Sequence, residues 1–549
     1  MSDSDLKASD ETGICMSAIP IKRIKQMRIN GFKKFSDLSV VFNPQMNILV
    51  GENEAGKSTI IDALRLVFCQ LYRNTDKSIL FDLFNRDQVK IFEANPTLEN
   101  LPHIHIEIEL EIPDKGKDSQ LFLGENHFTE FGKGALYGIR FECEFDQNEG
   151  AGLDSEINAG HIPVEYYKLE WKTFADQPFS LLHPPFCFLA IDTSVRDTNN
   201  PFSRYAKDLF SSRVLENMRL RHKHDFRTGL KGLVNELDLP ELSDTQKFGI
   251  NEKRILLENV LTVLDEDIAL ENKGSGVESI VKIELALSKK EGCADVIAIE
   301  EPENHLSYSN LRRLLANIEK QNASSQIIIA THSNMIVSRL DVRNVLWISE
   351  GEPQIQTLKN VDESTARFFS KLDNSNLLNL LLAEKVVLVE GPTEFLLVPK
   401  FYKEELNKTI EGDNVTVISC NGISFLHYLA IAETRQKRVA VLTDNDKKEN
   451  RVKWAEEYNA NHVNTHIFMP DDLEQWTWEK CLFDLNTDYF KEKLSPQKGS
   501  AYLFHEHDYG QHLGYMLNHK ADVAFKLLED NPTLVIPQYV REAFQWLNA

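Results

Sequence analysis

Apolar and polar positions follow two successive regimes along the chain. Residues 21–50 read as two strands around a turn, IKQMRINGFKKF and LSVVF, followed by the apolar run MNILV. After Ser58 the spacing changes to that of a helix in TIIDALRLVF, with apolar residues three and four apart. Alternating stretches such as HIHIEIELEI, GIRFECEF and FCFLAI predict further strands over 75–190, with polar loops between them. Residues 203–271 read as helical, because KRILLENVLTVLDEDIAL repeats its apolar positions at helical spacing and leaves its acids on a solvated face. VIAIEE, QIIIATHS and VLWIS then predict buried strands, and a helical connector rich in Asn, Ser and Leu covers 360–382. From Lys385 the pattern is strand and helix in turn: KVVLVE, VTVISC, RVAVLTDND and THIFMP, each followed by a helical stretch. That alternation predicts a parallel α/β sheet.

A chain of 549 residues is too long for one core. No run approaches the 18 apolar residues of a membrane span, and the polar first 20 residues lack the apolar centre of a secretory signal. We expect a flexible tail over 1–20 and a cytoplasmic protein with no membrane partner. The seven cysteines, Cys15, Cys69, Cys143, Cys187, Cys293, Cys420 and Cys481, form no CxxC pair, which argues against a zinc ribbon or a disulfide scaffold. The net charge of −23 runs against a simple nucleic-acid binder, which usually presents a basic face. A chain this acidic that acts on DNA needs local basic strips, metal ions or a basic partner.

GENEAGKS, Gly51–Ser58, fits G-x-x-x-x-G-K-[ST] between a predicted strand and a predicted helix. Backbone amides of the loop, with Asn53, Gly56 and Thr59 among its residues, would receive phosphate oxygens at the helix start. Lys57 would pair with the outer phosphates of ATP, and Ser58 would ligate Mg²⁺. In DVIAIEEPENHL, Glu300 is placed for the Mg²⁺ shell and Glu301 to orient an attacking water, although two acids there could also serve a helix dipole. QIIIATHS ends a strand at His332, where a γ-phosphate sensor is expected, and KGSGVES offers Ser275 and Gly276 at a helix start.

In this order the four segments, together with the opening INGFKKFSDLSVVF, resemble the ABC-type ATPase heads of the RecF and SMC-like group over roughly residues 21–350. The resemblance implies that two heads sandwich two ATPs, with Ser275 of one chain meeting the nucleotide held by Lys57 of the other. Glu300 departs from the Asp usual in that group, and no glutamine loop is identified.

The second half carries a different chemistry. KVVLVEGPTEFLLVPKF places Glu390 at a strand end and Glu394 at a helix start, with Gly391 allowing a sharp turn between them. RVAVLTDNDK brings Asp444 and Asp446, which project together if the backbone is extended. Carboxylates at neighbouring strand ends of a parallel sheet suit Mg²⁺, and two such ions would stabilise both oxygens of a phosphodiester displacement. Each cluster alone could be a helix-dipole acid or a solvated turn.

Together, E-G-x-x-E and a later apolar strand with D-x-D resemble the Toprim domain of topoisomerases, primases and overcoming-lysogenization-defect (OLD) nucleases. An ABC-type head followed directly by Toprim is the OLD arrangement. The resemblance implies a further metal-binding acid in DDLEQWTWE, for which Glu474 is chosen, and a late catalytic lysine, Lys520, in NHKADVAFKLLED. Asp471 or Asp472 could instead cap a helix.

The expected architecture is α/β: an ABC-type P-loop ATPase head over 21–365 with a helical insertion about 203–271, a connector over 366–383, and a Rossmann-like Toprim domain with a parallel sheet over 384–549. The resemblance implies an ATP-regulated DNA endonuclease or nickase dependent on Mg²⁺ or Mn²⁺ (a two-metal site besides the Mg²⁺ on ATP), a homodimer or higher homo-oligomer through its heads, and a role in bacterial anti-phage defence. It also allows a helicase-like or reverse-transcriptase (retron) partner. The alternative is an SMC-like ATPase scaffold whose Toprim half binds nucleic acid or a partner without cutting.

Overall fold

The structure, a computed structural model, describes residues 22–73, 75–113, 117–126, 134–179, 187–193, 206–207, 209–210, 214–236, 241–243, 246–247, 255–287, 294–321, 325–349, 353–372, 376–420, 425–434, 436–494, 503–505 and 507–549. The expected tail over 1–20, Cys15, Cys293 and part of the 203–271 stretch lie outside these residues. The chain divides into two compact units, 1–332 with 344–357, and 333–343 with 358–549.

The first unit's principal strands are β1 (Arg23–Phe32), β2 (Phe35–Val41), β3 (Met46–Gly51), β4 (Ile104–Glu111), β5 (Leu136–Phe145), β6 (Tyr167–Thr173), β7 (Phe188–Asp192), β8 (Val296–Glu300), β9 (Gln326–Ala330) and β10 (Val345–Ile348). β2, β1, β4, β5 and β6 pair antiparallel in that order. β10, β3, β9, β8 and β7 form a parallel sheet. The central strand β3 is buried at all of its positions, as a continuous apolar run with neighbours on both sides should be. Helix α1 (Lys57–Phe68) follows it, and Ile60, Ile61, Leu64, Val67 and Phe68 of α1 join one core with both sheets.

Two buried polar side chains fasten the sheets. The Gln326 amide accepts from the Ile24 amide and donates to the Ile24 and Asn43 carbonyls, each at 2.9 Å. Trp171 Nε1 donates to the Leu66 carbonyl at 2.9 Å, tying α1 to β6. A buried donor or acceptor left unpaired costs about 1–3 kcal/mol, so these bonds fix which sheet edges meet.

The 203–271 stretch is only partly helical. A helix spans Glu216–Glu236, but Glu241–Ser243 pairs with Gln246–Lys247, and Leu264–Asp265 pairs with Ile268–Ala269. The second hairpin turns through Glu266 and Asp267, both at positive φ (52° and 62°), which is the two-residue turn that matches strand twist. Between 255 and 270 the helical spacing gives only the short helix Leu257–Val260; beyond it the turn and the β-branched residues before it overrule that spacing. Beyond it, α2 (Ser275–Leu287) and α3 (Tyr308–Gln321) flank β8 in sequence.

In the second unit, β11 (Lys385–Val389), β12 (Val415–Ser419), β13 (Arg438–Leu442) and β14 (Thr465–Phe468) form a wholly parallel sheet in the order β12-β11-β13-β14. The order reverses direction between β11 and β13. In such sheets the carboxyl ends of the strands open a crevice at that switch point, because the flanking crossovers lie on opposite faces. Helices α4 (Pro392–Leu406), α5 (Trp478–Leu485), α6 (Lys520–Asp530) and α7 (Gln538–Asn548) share one core with β11 and β13, centred on Phe401, Trp478, Cys481 and Phe544. Among the described residues no helix is long and apolar enough to cross a membrane.

Candidate functional sites at two sets of strand ends

The loop after β3 is shaped by close approach. Gly56 has φ +103° and stands directly before α1, and a Cβ there would fall 2.3 Å from the Phe35 ring. Lys57 folds back over the loop, its ammonium donating to the carbonyls of Gly51 (3.0 Å) and Glu52 (2.9 Å). Burial lowers its pKa to about 8, opposed by Glu301 and Glu303. These are the groups a phosphate would displace from the ammonium.

Opposite the loop, Glu300 ends β8. Its carboxyl is pushed up to about 7, first by burial and then by Asp192 and Asp62, while a hydrogen bond from Ser58 and the charge of Arg65 (3.8 Å) oppose the shift. Ser58 and Glu300 are therefore adjacent, as an ion shared between them requires. Glu301 turns out of the strand at φ 46° and accepts from the Asn304 amide at 2.5 Å. His332 follows β9; burial and then Lys57 lower its pKa against Glu301 and Glu303. Lys57, Ser58, Glu300, Glu301 and His332 thus share one neighbourhood. Asn53 is exposed on the loop, and Thr59 is buried beneath it.

Ser275 and Gly276 open α2. Gly276 lies against the chain after β8, since a Cβ there would meet the His305 carbonyl at 2.5 Å. Among the described residues, no hydrogen bond or ion pair links Ser275 or Gly276 to the 51–58 loop of the same chain.

Sequence reading passed over Glu303. One of its oxygens accepts from the Thr331 hydroxyl (2.7 Å) and the His332 amide (2.8 Å), joining the end of β8 to the end of β9. Its position three residues beyond Glu300, after a proline, was the available signal.

The second site lies at the switch point of the parallel sheet. Glu390 follows β11, and Gly391 leads into α4, where a Cβ on Gly391 would come within 3.2 Å of the Glu394 carboxylate. Glu394, 8% exposed, is pushed up to about 7 by burial and then by Glu479, against Lys520. Asp444 follows β13. Its carboxylate accepts from the Thr477 hydroxyl (2.7 Å) and the Trp478 amide (2.9 Å). Burial, then Glu390, Glu479 and Glu394, push it up to about 8.

Lys520 opens α6 and donates to Glu479 at 2.9 Å. Burial would lower its pKa, but Glu479, Asp444 and Glu394 outweigh that and leave it raised. Glu390, Glu394, Asp444 and Lys520 are thus brought together.

Asp446 and Glu474 are not. The backbone after β13 is not extended: Asp446 and Lys447 have φ 51° and 59°. Asp446 is therefore turned outward beside Arg451, with Lys448 at 4.0 Å. Glu474 is exposed. The buried acid in this region is Glu479, 1% exposed, five residues beyond the one chosen. Its place in the first turn of α5 behind the apolar pair Trp476 and Trp478 could have singled it out. Arg451 also reaches the Thr443 hydroxyl (3.1 Å) and Glu390 (3.6 Å), while Thr443 itself donates to Glu390.

Among the described residues, no three carboxylate, imidazole or thiolate groups stand in ion-binding geometry as they are. The donor chemistry nonetheless suits a hard divalent cation. Glu390, Glu394, Asp444 and Glu479 offer only oxygen, and two of them hold raised pKa values in mutual repulsion, the condition that a bound cation relieves.

Comparison with known proteins matches both halves. The AAA ATPase domain family matches residues 23–178 and 191–337, more than half of the chain. The TOPRIM domain of overcoming lysogenization defect protein-like proteins matches 381–446. Endonuclease GajA of Bacillus cereus (strain VD045) is 21% identical over 531 residues, covering 90% of this chain and 87% of that protein. An ATP/GTP phosphatase of Helicobacter pylori is 22% identical over 344 residues, 58% of this chain and 87% of its own length. The Old nuclease of Escherichia phage P2 is 25% identical over 207 residues, 36% of this chain and 33% of its own length.

Proposed function

We propose, from the premise that this chain belongs to the OLD family of AAA-type ATPases joined to a Toprim domain, that it is a divalent-metal-dependent DNA endonuclease or nickase whose ATPase head regulates cutting. The observation that carries the reading is the clustering of Glu390, Glu394, Asp444 and Glu479 with Lys520, at the strand ends where the sheet order reverses. We assign the ATPase work to 21–365 and the nuclease work to 384–549, with 366–383 between them.

Mg²⁺ or Mn²⁺ held by Glu390, Glu394, Asp444 and Glu479 would supply charge stabilisation to the attacking and leaving oxygens of the phosphodiester. Lys520 contributes a fixed positive charge toward the phosphate, and Glu479 orients it. Thr477 and the Trp478 amide hold Asp444 in place. Asp446 and Glu474, on the exposed rim, are available as outer ligands. In the head, Lys57 and the loop amides would hold the ATP phosphates, Ser58 and Glu300 would hold its Mg²⁺, Glu301 would position water, and His332 would sense the γ-phosphate. Ser275 and Gly276, unconnected to their own loop, are free to complete the site of a second copy, which makes the working unit a dimer. We extend the reading to cytoplasmic action in anti-phage defence, alone or with a helicase-like or retron partner, as the resemblance of the sequence to OLD nucleases implies.

The test is nicking of supercoiled plasmid with Mn²⁺. Wild type should convert it to the open circle, and Asp444→Ala should lose at least about 100-fold in rate, the scale of a lost electrostatic contact in the transition state. A wild type that cuts no form of DNA with any divalent ion refutes the nuclease reading and leaves the ATPase scaffold.

A further inference from the structure

One edge of the second site is built from aromatic rings that the carboxylate chemistry does not use. The backbone of Trp476 is tied to both ends of the Asp444–Asp446 segment. Its carbonyl accepts the Asp446 amide at 3.2 Å, and the next two residues hold Asp444. The neighbouring Trp478 sends its ring into the core, 1% exposed, and stacks on Phe401.

The Trp476 ring stays only half-buried. It stacks on Phe504 (centroids 6.2 Å, planes at 27°) and lies 5.5 Å from the Tyr509 ring. The exposed Lys447, next after Asp446, carries its ammonium 5.1 Å from the Trp476 ring and 5.5 Å from Tyr509. The turn behind Tyr509 is braced by Asp508, which accepts the Gly510 amide at 2.8 Å.

Stacking of Phe504 accounts for one face of Trp476. It does not account for a second aromatic ring and a lysine gathered on the rim of a phosphodiester-handling crevice. Large rings left partly in water, with a cation between them, match what a nucleobase and its phosphate require: a π-face for stacking and a positive charge beside it.

We propose that Trp476, Phe504 and Tyr509 form a stacking platform for an unpaired base of the DNA strand whose backbone reaches the carboxylates, with Lys447 contacting an adjacent phosphate. The identity of the strand rests on the nuclease reading above. Bases inside a duplex show only their edges, so the platform selects DNA with an unstacked base, such as a single strand, a flap or a frayed end. Every base has a π-face, so the preference is for strand state and not for sequence.

The test is equilibrium binding of the full chain, in Ca²⁺, to a fluorescein-labelled oligodeoxythymidine of about 15 nucleotides, followed by anisotropy. Trp476→Ala should weaken binding about five- to 150-fold, the stacking contribution of one base. Trp476→Phe should stay within roughly threefold of wild type, because a π-face remains. A blunt-ended duplex of the same length, closed at both ends by G·C pairs, should lose less than about twofold with either variant. Wild-type binding by Trp476→Ala, an equal loss in Trp476→Phe, or an equal loss on the blunt duplex would each overturn the platform.

The same proteins are then assayed for nicking. A wild type that shows the Trp476 binding pattern but cuts nothing refutes the nuclease reading alone. A wild type that cuts while Trp476→Ala binds normally refutes the platform alone.

Discussion

Without divalent cations, the carboxylate site makes its own unit less stable as pH rises. Asp444 moves from an ordinary 3.8 to about 8 on folding, and Glu394 from 4.5 to about 7, burial being the largest cause for each. Both folded-state values lie above the unfolded ones. Between about pH 5 and 8 the folded unit therefore holds protons that the unfolded chain has released, and stability is lost as pH climbs through the folded values. The slope is at most about 1.4 kcal/mol per pH unit per group. Asp444 alone gives up to about 4 kcal/mol over three units, and because it keeps some contact with water we take roughly half. Glu394, almost fully enclosed, contributes up to about 3 kcal/mol over its two units. A loss on the order of 4 kcal/mol in a unit of this size lowers its melting temperature by roughly 10 °C. Lys520 does not offset this, because its raised ammonium stays charged throughout the window. The assay is calorimetric melting of the EDTA-treated chain at several pH values, repeated with Mn²⁺ and with Asp444→Asn. The wild-type transition should fall with pH in EDTA, recover with Mn²⁺, and fall less in the variant. A transition that is flat or rises with pH in EDTA, or an Asp444→Asn slope equal to wild type, would refute the reasoning.

Glu301→Gln should retain ATP binding, seen with a fluorescent nucleotide, while phosphate release drops by about 10²–10⁴, the worth of a positioned general base; hydrolysis at the wild-type rate would remove Glu301 from that role. Gly56→Ala should abolish nucleotide binding and cost about 1–3 kcal/mol in the melt of the head, since φ +103° and the Phe35 ring both oppose a side chain. Adding Phe35→Ala should return part of the stability but not the binding, because the backbone strain remains.

How much of this was legible in the sequence follows from which forces set each feature. The strands of the two parallel sheets, and the parallel order of the second, were legible because a strand buried on both faces must be largely apolar, and MNILV, VIAIE, QIIIA, KVVLV and RVAVL are so apart from one polar residue each. Glu300, Glu390 and Asp444 were legible for a related reason, since a polar residue at or just past the end of such a run stands at the crevice, and Lys57 was legible from the G-x-x-x-x-G-K-[ST] spacing. The 264–269 hairpin was not, because apolar spacing there fits a helix, and two residues at positive φ decide otherwise. The outward turn of Asp446 was hidden in the same way, since D-x-D spacing aligns two acids only on extended backbone. Glu479 was passed over because burial depends on packing from other elements. Its enclosure comes from the core around α5 and from the lysine at the start of α6, more than forty residues on.

The net charge of −23 first argued against a DNA partner. The placement of the charges changes that inference. Glu300, Glu394 and Asp444 are held at raised pKa values inside two crevices, and each crevice has a cation of its own beside the acids, Lys57 and Arg65 in one, Lys520 and Arg451 in the other. Under the proposed function such acids would not repel a phosphate, because a divalent ion bound among them would reverse the local sign. The remaining surface acids still repel duplex DNA over roughly a Debye length, about 10 Å at moderate salt. A strand must therefore reach the crevice by contacts that do not depend on net charge. In the proposed nuclease, stacking on half-buried rings beside a single lysine is such a contact. Under the two proposals, the acidic surface and the aromatic rim would be parts of one selection, against intact duplex and in favour of an unpaired strand delivered to the carboxylates.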